Sequence, residues 1–349
     1  MDTGIQCEVV TDWRSILSLC EEWNVLLTHS RCNRAFNSSQ WYSAVPLILP
    51  ELSPFLCIAR RAGTVQGILP LWLDQRQQKV EFAGHFCDHL DIIAADDDLE
   101  VMTGLLAFAL QEASRCGGLS LKRIKPDSNC VRAARALGFC RQIEEGFAAG
   151  TAREYAVIDL SLGYDRYLKS LSRKFRLTLN RMRNKAERDG IVTRELHLHD
   201  FVPKRLPEAF LSLHSARFGG KSRLLSQSAS AWIHHLLPSL FAGQSLRAFA
   251  LFVGDQIAGI DLAMVGSSGL YAWTGGFLPE VEQYDPGKLL IDKTIQLCSV
   301  ERLMEYDIGW FQQQYKAHWK PNIRRIGNLQ FDGCEYQSSN AIAVGNQSV

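Results

Sequence analysis

Residues 246–316 constrain the fold more than any other stretch. An alternating apolar run at 248–253 ends in Gly254-Asp255. A second, at 257–265, ends in Gly266-Ser267-Ser268-Gly269, and a third covers 270–274. Turn residues between short apolar runs predict a three-stranded antiparallel meander. A loop containing Gly275, Gly276, Pro286 and Gly287 then opens onto an apolar helix at 288–300, followed by a buried strand at 305–308. The glycine pairs alone imply only turns. A loop that feeds a helix N-terminus also offers backbone N–H groups and a positive dipole end, which suits a phosphate.

Length and charge set the limits around this core. A chain of 349 residues accommodates two domains, each with its own core. Its 46% apolar and 21% charged residues are those of an ordinary globular protein. A net charge of +1 gives no global electrostatic case for nucleic acid, and no DNA partner is expected. No apolar run is long enough to span a bilayer, and the start MDTGIQCEVVTDW lacks the pattern of a signal peptide. The expectation is a cytoplasmic protein. The ten cysteines are scattered without a CxxC pair, and Cys57, Cys140 and Cys298 fall in apolar segments, so buried reduced thiols are expected. No HExxH, P-loop, GxSxG or zinc-spaced Cys/His set occurs, so no metal is expected.

The first half carries a similar order of elements. Helical spacing at 12–27 and 38–47 precedes a hairpin of strands at 54–60 and 65–73, turned by Ala62-Gly63. A strand at 79–82, the loop GHFCDHLD, the acidic helix start Asp96-Asp97-Asp98, a helix with Leu99, Met102, Leu105, Leu106, Ala109, Leu110 and Ala113 inward, and a strand at 119–124 follow. A short helix at 127–137 comes next. The halves join in the AAGTA stretch, giving domains at 1–150 and 151–349. The second half opens with a strand at 154–160 and a basic helix. Between Asp165 and Arg188 there are nine Lys or Arg and two acids. This face is either simply solvated or a rim that attracts a polyanion, with Arg173 and Arg176 as candidate contacts.

The segments FNSSQWYSAVPLILP, PFLCIARRAGTVQGILPLWL, CDHLDIIA, YLKSLSRKFRLTLNRMRNKAERDG, LSLHSARF, ALFVGDQIAGIDLAM, LYAWTGGFLPEVEQYDPGKLLI and YDIG…YK resemble the BioF2-like or CelD-like acetyltransferase group. That group is a branch of the GNAT superfamily and is similar to FemAB-type tandem-GNAT proteins. The resemblance covers roughly residues 35–325. It implies an α/β fold of two tandem GNAT-like halves, each a mixed, largely antiparallel sheet flanked by helices. Where the group commonly has an Arg-Gly-Asp-Glu-like segment, this chain has Trp310-Phe311-Gln312-Gln313-Gln314, which points to a more apolar acceptor.

The activity implied is transfer of an acetyl or longer acyl group from acyl-CoA to an amine. The acceptor would be an amino sugar of an exopolysaccharide or envelope precursor, or a lipid-like amine, with peripheral association with the inner membrane. The alternatives are a FemAB-like aminoacyl-tRNA-dependent transferase and a non-catalytic accessory protein of cellulose biosynthesis. Acyl transfer from a thioester needs a splayed strand to polarise the carbonyl, a base for the amine and a cradle for the cofactor phosphates. Residues 271–276, with Trp273, Gly275 and Gly276, are the candidate strand, and Tyr284, Gly287 and Lys288 the candidate cradle. Three groups compete as the base or its partners. Asp88, His89 and Asp91 share one loop, where the acids would equally serve loop N–H groups. His214 and Arg217 share a helix face. Asp307, Tyr315 and Lys316 follow the late strand, with Tyr315 a candidate acid for the thiolate and Lys316 a contact for an acceptor anion.

Overall fold

The structure, a computed structural model, describes residues 4–32, 34–83, 86–94, 98–199, 201–312 and 314–333. The chain forms two compact units. One runs to Arg153 and resumes at Arg325; the other is Glu154–Arg324.

In the first unit, strand β1 (Gln6–Val10) precedes helices α1 (Trp13–Ser18), α2 (Cys20–Thr28) and α3 (Ser39–Ala44). Then come β2 (Leu52–Arg61), β3 (Thr64–Asp74), β4 (Lys79–Glu81) and β5 (Ile93–Ala94). Helix α4 (Leu99–Ser114), β6 (Gly118–Ile124), α5 (Asn129–Ala136) and α6 (Cys140–Gly146) complete the run. The β2–β3 hairpin closes on Ala62 and Gly63, both at positive φ (50° and 82°), the geometry that matches the twist of a two-residue hairpin. Strands β2, β3 and β4 pair antiparallel, α4 crosses over, and β6 pairs parallel with β4.

The second unit repeats that plan. Its elements are β7 (Arg153–Asp159), α7 (Tyr164–Ser170), α8 (Arg173–Arg188) and β8 (Ile191–Leu196). These are followed by α9 (Leu206–Phe218), α10 (Gln227–Ala242), β9 (Leu246–Val253), β10 (Gln256–Val265) and β11 (Gly269–Phe277). Helix α11 (Pro286–Val300) and strand β12 (Glu305–Trp310) close it. Strands β9, β10 and β11 form the expected meander, α11 crosses over, and β12 pairs parallel with β11. In each unit the crossover strand gains a further antiparallel neighbour: β7 beside β12, and residues 327–332 of β13 (Asn322–Asp332) beside β6. The end of the chain thus completes the first unit's sheet.

Physical chemistry explains the departures from the sequence reading. The basic segment is two helices, because Leu171 is extended and Ser172 restarts the helix by accepting from the Phe175 N–H at 3.2 Å. Asp98 caps α4 through the Val101 N–H at 3.1 Å, while Asp96 and Asp97 lie outside the described residues, as do Gly84 and His85. Cys57 and Cys298 are buried, with thiols pushed up by desolvation, whereas Cys140 is exposed at the start of α6. Among the described residues no helix is long and apolar enough to cross a membrane.

The loop 86–92 belongs to the first unit, and its polar groups serve that unit. Asp91 accepts from the backbone N–H groups of Ile92 (2.9 Å), Asn129 (2.9 Å) and Cys130 (2.8 Å), so its carboxylate sits on the first turn of α5. His89 is buried at φ 62°, its N–H on the Arg123 carbonyl and its own carbonyl on Asn37. Asp88 pairs with Arg123 at 3.5 Å. Asp91, expected as a substrate contact, anchors the start of α5. Asp91→Ala should destabilise the fold by about 3 kcal/mol, because it strands buried donors. A fall in urea midpoint with an unchanged slope is the expected reading.

Candidate active site

The second unit's sheet opens between two adjacent strands. Strands β11 and β12 pair only at Gly269–Glu305, Leu270–Tyr306 and Tyr271–Asp307. Both then change register against their outer neighbours. Leu262 faces Thr274 and Ala263 faces Ala272, so β11 holds one residue more than β10 at Trp273. From Asp307 to Trp310, β12 advances three residues while β7 advances two, from Val157 to Tyr155. An extra residue bends its strand and re-aims its side chains, and two such bulges on either side of one seam part the strands. Gly309 sits in the second bulge at φ 80°, a conformation that favours glycine. The Asp307 carboxylate accepts from the Gly309 N–H at 2.7 Å and holds that turn.

Charged side chains gather around the opening. The Lys316 ammonium donates to the Trp310 carbonyl at 2.8 Å, and a Cβ on Gly309 would lie 3.8 Å from it. Burial pushes Lys316 down to about 8, with Asp307 and Asp261 opposing. Asp261 of β10 lies opposite Gly275, accepts from the Tyr306 hydroxyl at 3.3 Å and feels the charges of Arg217 and Lys316. Burial nevertheless pushes its carboxyl up to about 6. Tyr315 is 39% exposed, and burial of its ring raises its phenol. Arg217 lies 4.7 Å from the Phe277 ring. So Arg217, remote in sequence from Asp307, Tyr315 and Lys316, lies in the same electrostatic neighbourhood of the second unit as they do, while Asp88, His89 and Asp91 belong to the first.

Asp261 and Tyr306 were not among the residues the sequence reading singled out. Asp261 interrupts the apolar run of β10, and that interruption was the available signal. Its partner Tyr306 reads as an ordinary core aromatic and gave none.

His214 has a different surrounding from the one expected of a base. It is 3% exposed. Nδ1 lies 3.0 Å from the Gly275 carbonyl and Nε2 2.7 Å from the Ser222 hydroxyl. A carbonyl only accepts, so Nδ1 carries the proton and Nε2 accepts from Ser222. Burial lowers its pKa and keeps the ring neutral. His214 thus ties α9 to β11. Trp273 packs on Phe210 and Trp232, at 6.1 and 6.0 Å between rings.

The loop after β11 leads to the start of α11. Tyr284 bonds Asp189 at 3.1 Å, and Lys185 lies 4.7 Å from its ring. Asp285, at φ 54°, takes the Lys288 ammonium at 2.8 Å, and its carbonyl accepts from the N–H groups of Lys288 and Leu289. A Cβ added to Gly287 would meet nothing within 4 Å, so there is open space above the helix start. Among the described residues no three His, Cys, Asp or Glu gather as a metal site.

Residues 173–317, from the first residue of α8 to just past Lys316, match the acetyltransferase (GNAT) domain family. The chain is similar in structure to FemX, with 12% identity, 94% of this chain and 97% of that chain covered, and a TM-score of 0.66. It is also similar to the C-terminal domain (DUF2156) of a putative lysylphosphatidylglycerol synthetase from Agrobacterium fabrum, at 13% identity, 94% and 96% coverage and a TM-score of 0.55. For L-PGS from Bacillus licheniformis the values are 13%, 89% and 90%, and 0.53. At these identities the likeness concerns the fold. No curated protein matches the chain.

Two glycines with contrasting surroundings give a test of this geometry. A Cβ on Gly276 would lie 2.4 Å from the backbone of His214 and Leu213, which cannot give way as a side chain can. Gly276→Ala should cost about 2–3 kcal/mol and shift the His214 ring resonances in NMR spectra. Gly287→Ala should leave stability unchanged or raise it by up to about 1 kcal/mol.

Proposed function

We propose that this chain, whose residues 173–317 match the GNAT acetyltransferase domain family, moves an acetyl or longer acyl group from acyl-CoA to the nitrogen of an amine. The observation that carries this reading is the parting of β11 and β12 beyond Tyr271 and Asp307, lined by Asp261, Tyr315 and Lys316. A thioester carbonyl lodged there lies along the backbone of β11, whose N–H groups stabilise the developing oxyanion. The amine nitrogen attacks the carbonyl carbon and the C–S bond breaks. Asp261, ionised near neutral pH, takes the proton from the amine. Tyr315 gives its proton to the leaving thiolate. Lys316 and Arg217 hold an anionic part of the acceptor. Trp310 and Tyr315, 42% and 39% exposed, give the mouth an aromatic surface that favours a lipid-like amine or an amino sugar on an apolar carrier.

The start of α11 fits a pyrophosphate through the open space over Gly287 and the positive end of the helix. The Lys288 ammonium already has a carboxylate partner in Asp285, and this favours a second reading, in which the donor is an aminoacyl-tRNA. Calorimetry separates the two. Binding of acetyl-CoA, weakened in Lys288→Glu, supports the first; binding of aminoacyl-tRNA alone supports the second. Binding of neither favours a non-catalytic accessory role.

The ionisations give a pH signature. Asp261 must be ionised and Lys316 protonated, so kcat/KM should rise as pH increases through about 6 and fall above about 8. Asp261→Asn should remove the acid limb and lower kcat by roughly 10²–10³. A folded Asp261→Asn enzyme with full activity and the same acid limb would remove Asp261 from the reaction.

A further inference from the structure

The outward face of α8 carries a groove that the acyl-transfer reading does not use. Arg173, Arg176 and Arg183 line it together with Leu168, Leu177 and Leu179, around a volume of about 290 Å³. The three arginines differ in their surroundings. Arg183 is matched by Asp292, with N–O distances of 2.8 and 2.6 Å, and forms a neutralised wall. Arg176 donates to the Lys169 carbonyl at 2.7 Å, which fixes the guanidinium without cancelling its charge. Arg173 makes no ion pair with any described residue. Two uncancelled guanidinium groups therefore flank a recess whose other lining is three leucines and Asn180 beside the paired Arg183, and Leu177 is 47% exposed.

This combination selects its ligand chemically. Guanidinium forks match phosphate oxygens. Single-stranded nucleic acid is held by aromatic platforms for its bases, and this groove has leucines in that place. A phosphate carried beside hydrocarbon satisfies both kinds of lining. We propose that the groove binds the phosphate of an anionic lipid headgroup, with Leu168 and the exposed Leu177 against the adjoining glycerol and acyl carbons. The site places α8 against an anionic membrane surface and is independent of which acyl donor or amine the second unit uses.

The test is co-sedimentation of the full chain with vesicles of phosphatidylglycerol and phosphatidylcholine, compared with phosphatidylcholine alone. The wild type should bind only the anionic vesicles. Arg173→Glu with Arg176→Glu should weaken binding at least ~10-fold, while the charge-matched pair Lys174→Glu with Arg181→Glu, on the same helix but outside the groove, should weaken it only ~2–3-fold. Arg173→Gln with Arg176→Gln, a milder change, should retain the order if the first pair does not fold. Equal losses from the two charge-reversed pairs would overturn the groove in favour of diffuse attraction. Absence of wild-type binding to anionic vesicles would overturn it outright. Groove-dependent binding of inorganic pyrophosphate or of tRNA without vesicle binding would replace the lipid with a soluble phosphate ester or RNA.

Discussion

The second unit is organised by the parting of two parallel strands. A β-ladder satisfies backbone groups and leaves no room between its strands, so an opening in a sheet requires the pairing to be interrupted. Here the interruption comes from an extra residue at Trp273 on one side and a bulge at Gly309 on the other. The charged residues depend on it. Asp307 holds the bulge through the Gly309 N–H, and Lys316 donates to the Trp310 carbonyl just beyond it. Helix α9 braces the same strand from its other side, with the backbone at His214 close against Gly276 and the His214 ring bonded to the Gly275 carbonyl.

Burial gives these groups their ionisation behaviour. Asp261 and Lys316 carry opposite charges in one neighbourhood, and each stabilises the charged form of the other. Desolvation is the larger effect for both, raising the acid to about 6 and lowering the amine to about 8. Their pKa values therefore approach neutrality from opposite sides. The half-buried Arg183–Asp292 pair behaves differently. With Tyr164 and Gln296 also bonded to Asp292, it acts as a polar clamp between α7, α8 and α11, and it fixes one end of the α8 groove.

Several residues of the candidate site were legible because they broke a pattern. Arg217, Asp307, Tyr315 and Lys316 stand out as polar groups next to apolar runs, and the second unit brings them together. Gly275 and Gly276 stood out too, but the structural reason is close packing: Asp261 lies over the first and the α9 backbone against the second. His214 and Asp91 were conspicuous for the same reason, and each is engaged in local hydrogen bonds that hold the fold. Sequence marks a polar residue in an apolar setting; it does not say whether its partner is a backbone N–H or a ligand.

The amino-acid sequence by itself determined the elements and their order. Periodicity and turn residues are local properties, and they specify the β9–β10–β11 meander, α11 and β12 without reference to the rest of the chain. Tertiary structure decided what depends on register and on remote partners. It placed residues 327–332 on β6 and β7 on β12, set the two bulges that part β11 from β12, and brought Asp261 of β10, Tyr306 of β12 and Lys316 together around the opening. A one-residue change in register reverses which face a side chain occupies, and register is fixed by the packing of a whole sheet. The roles of Asp261 and Tyr306 therefore appear only once the strands are paired.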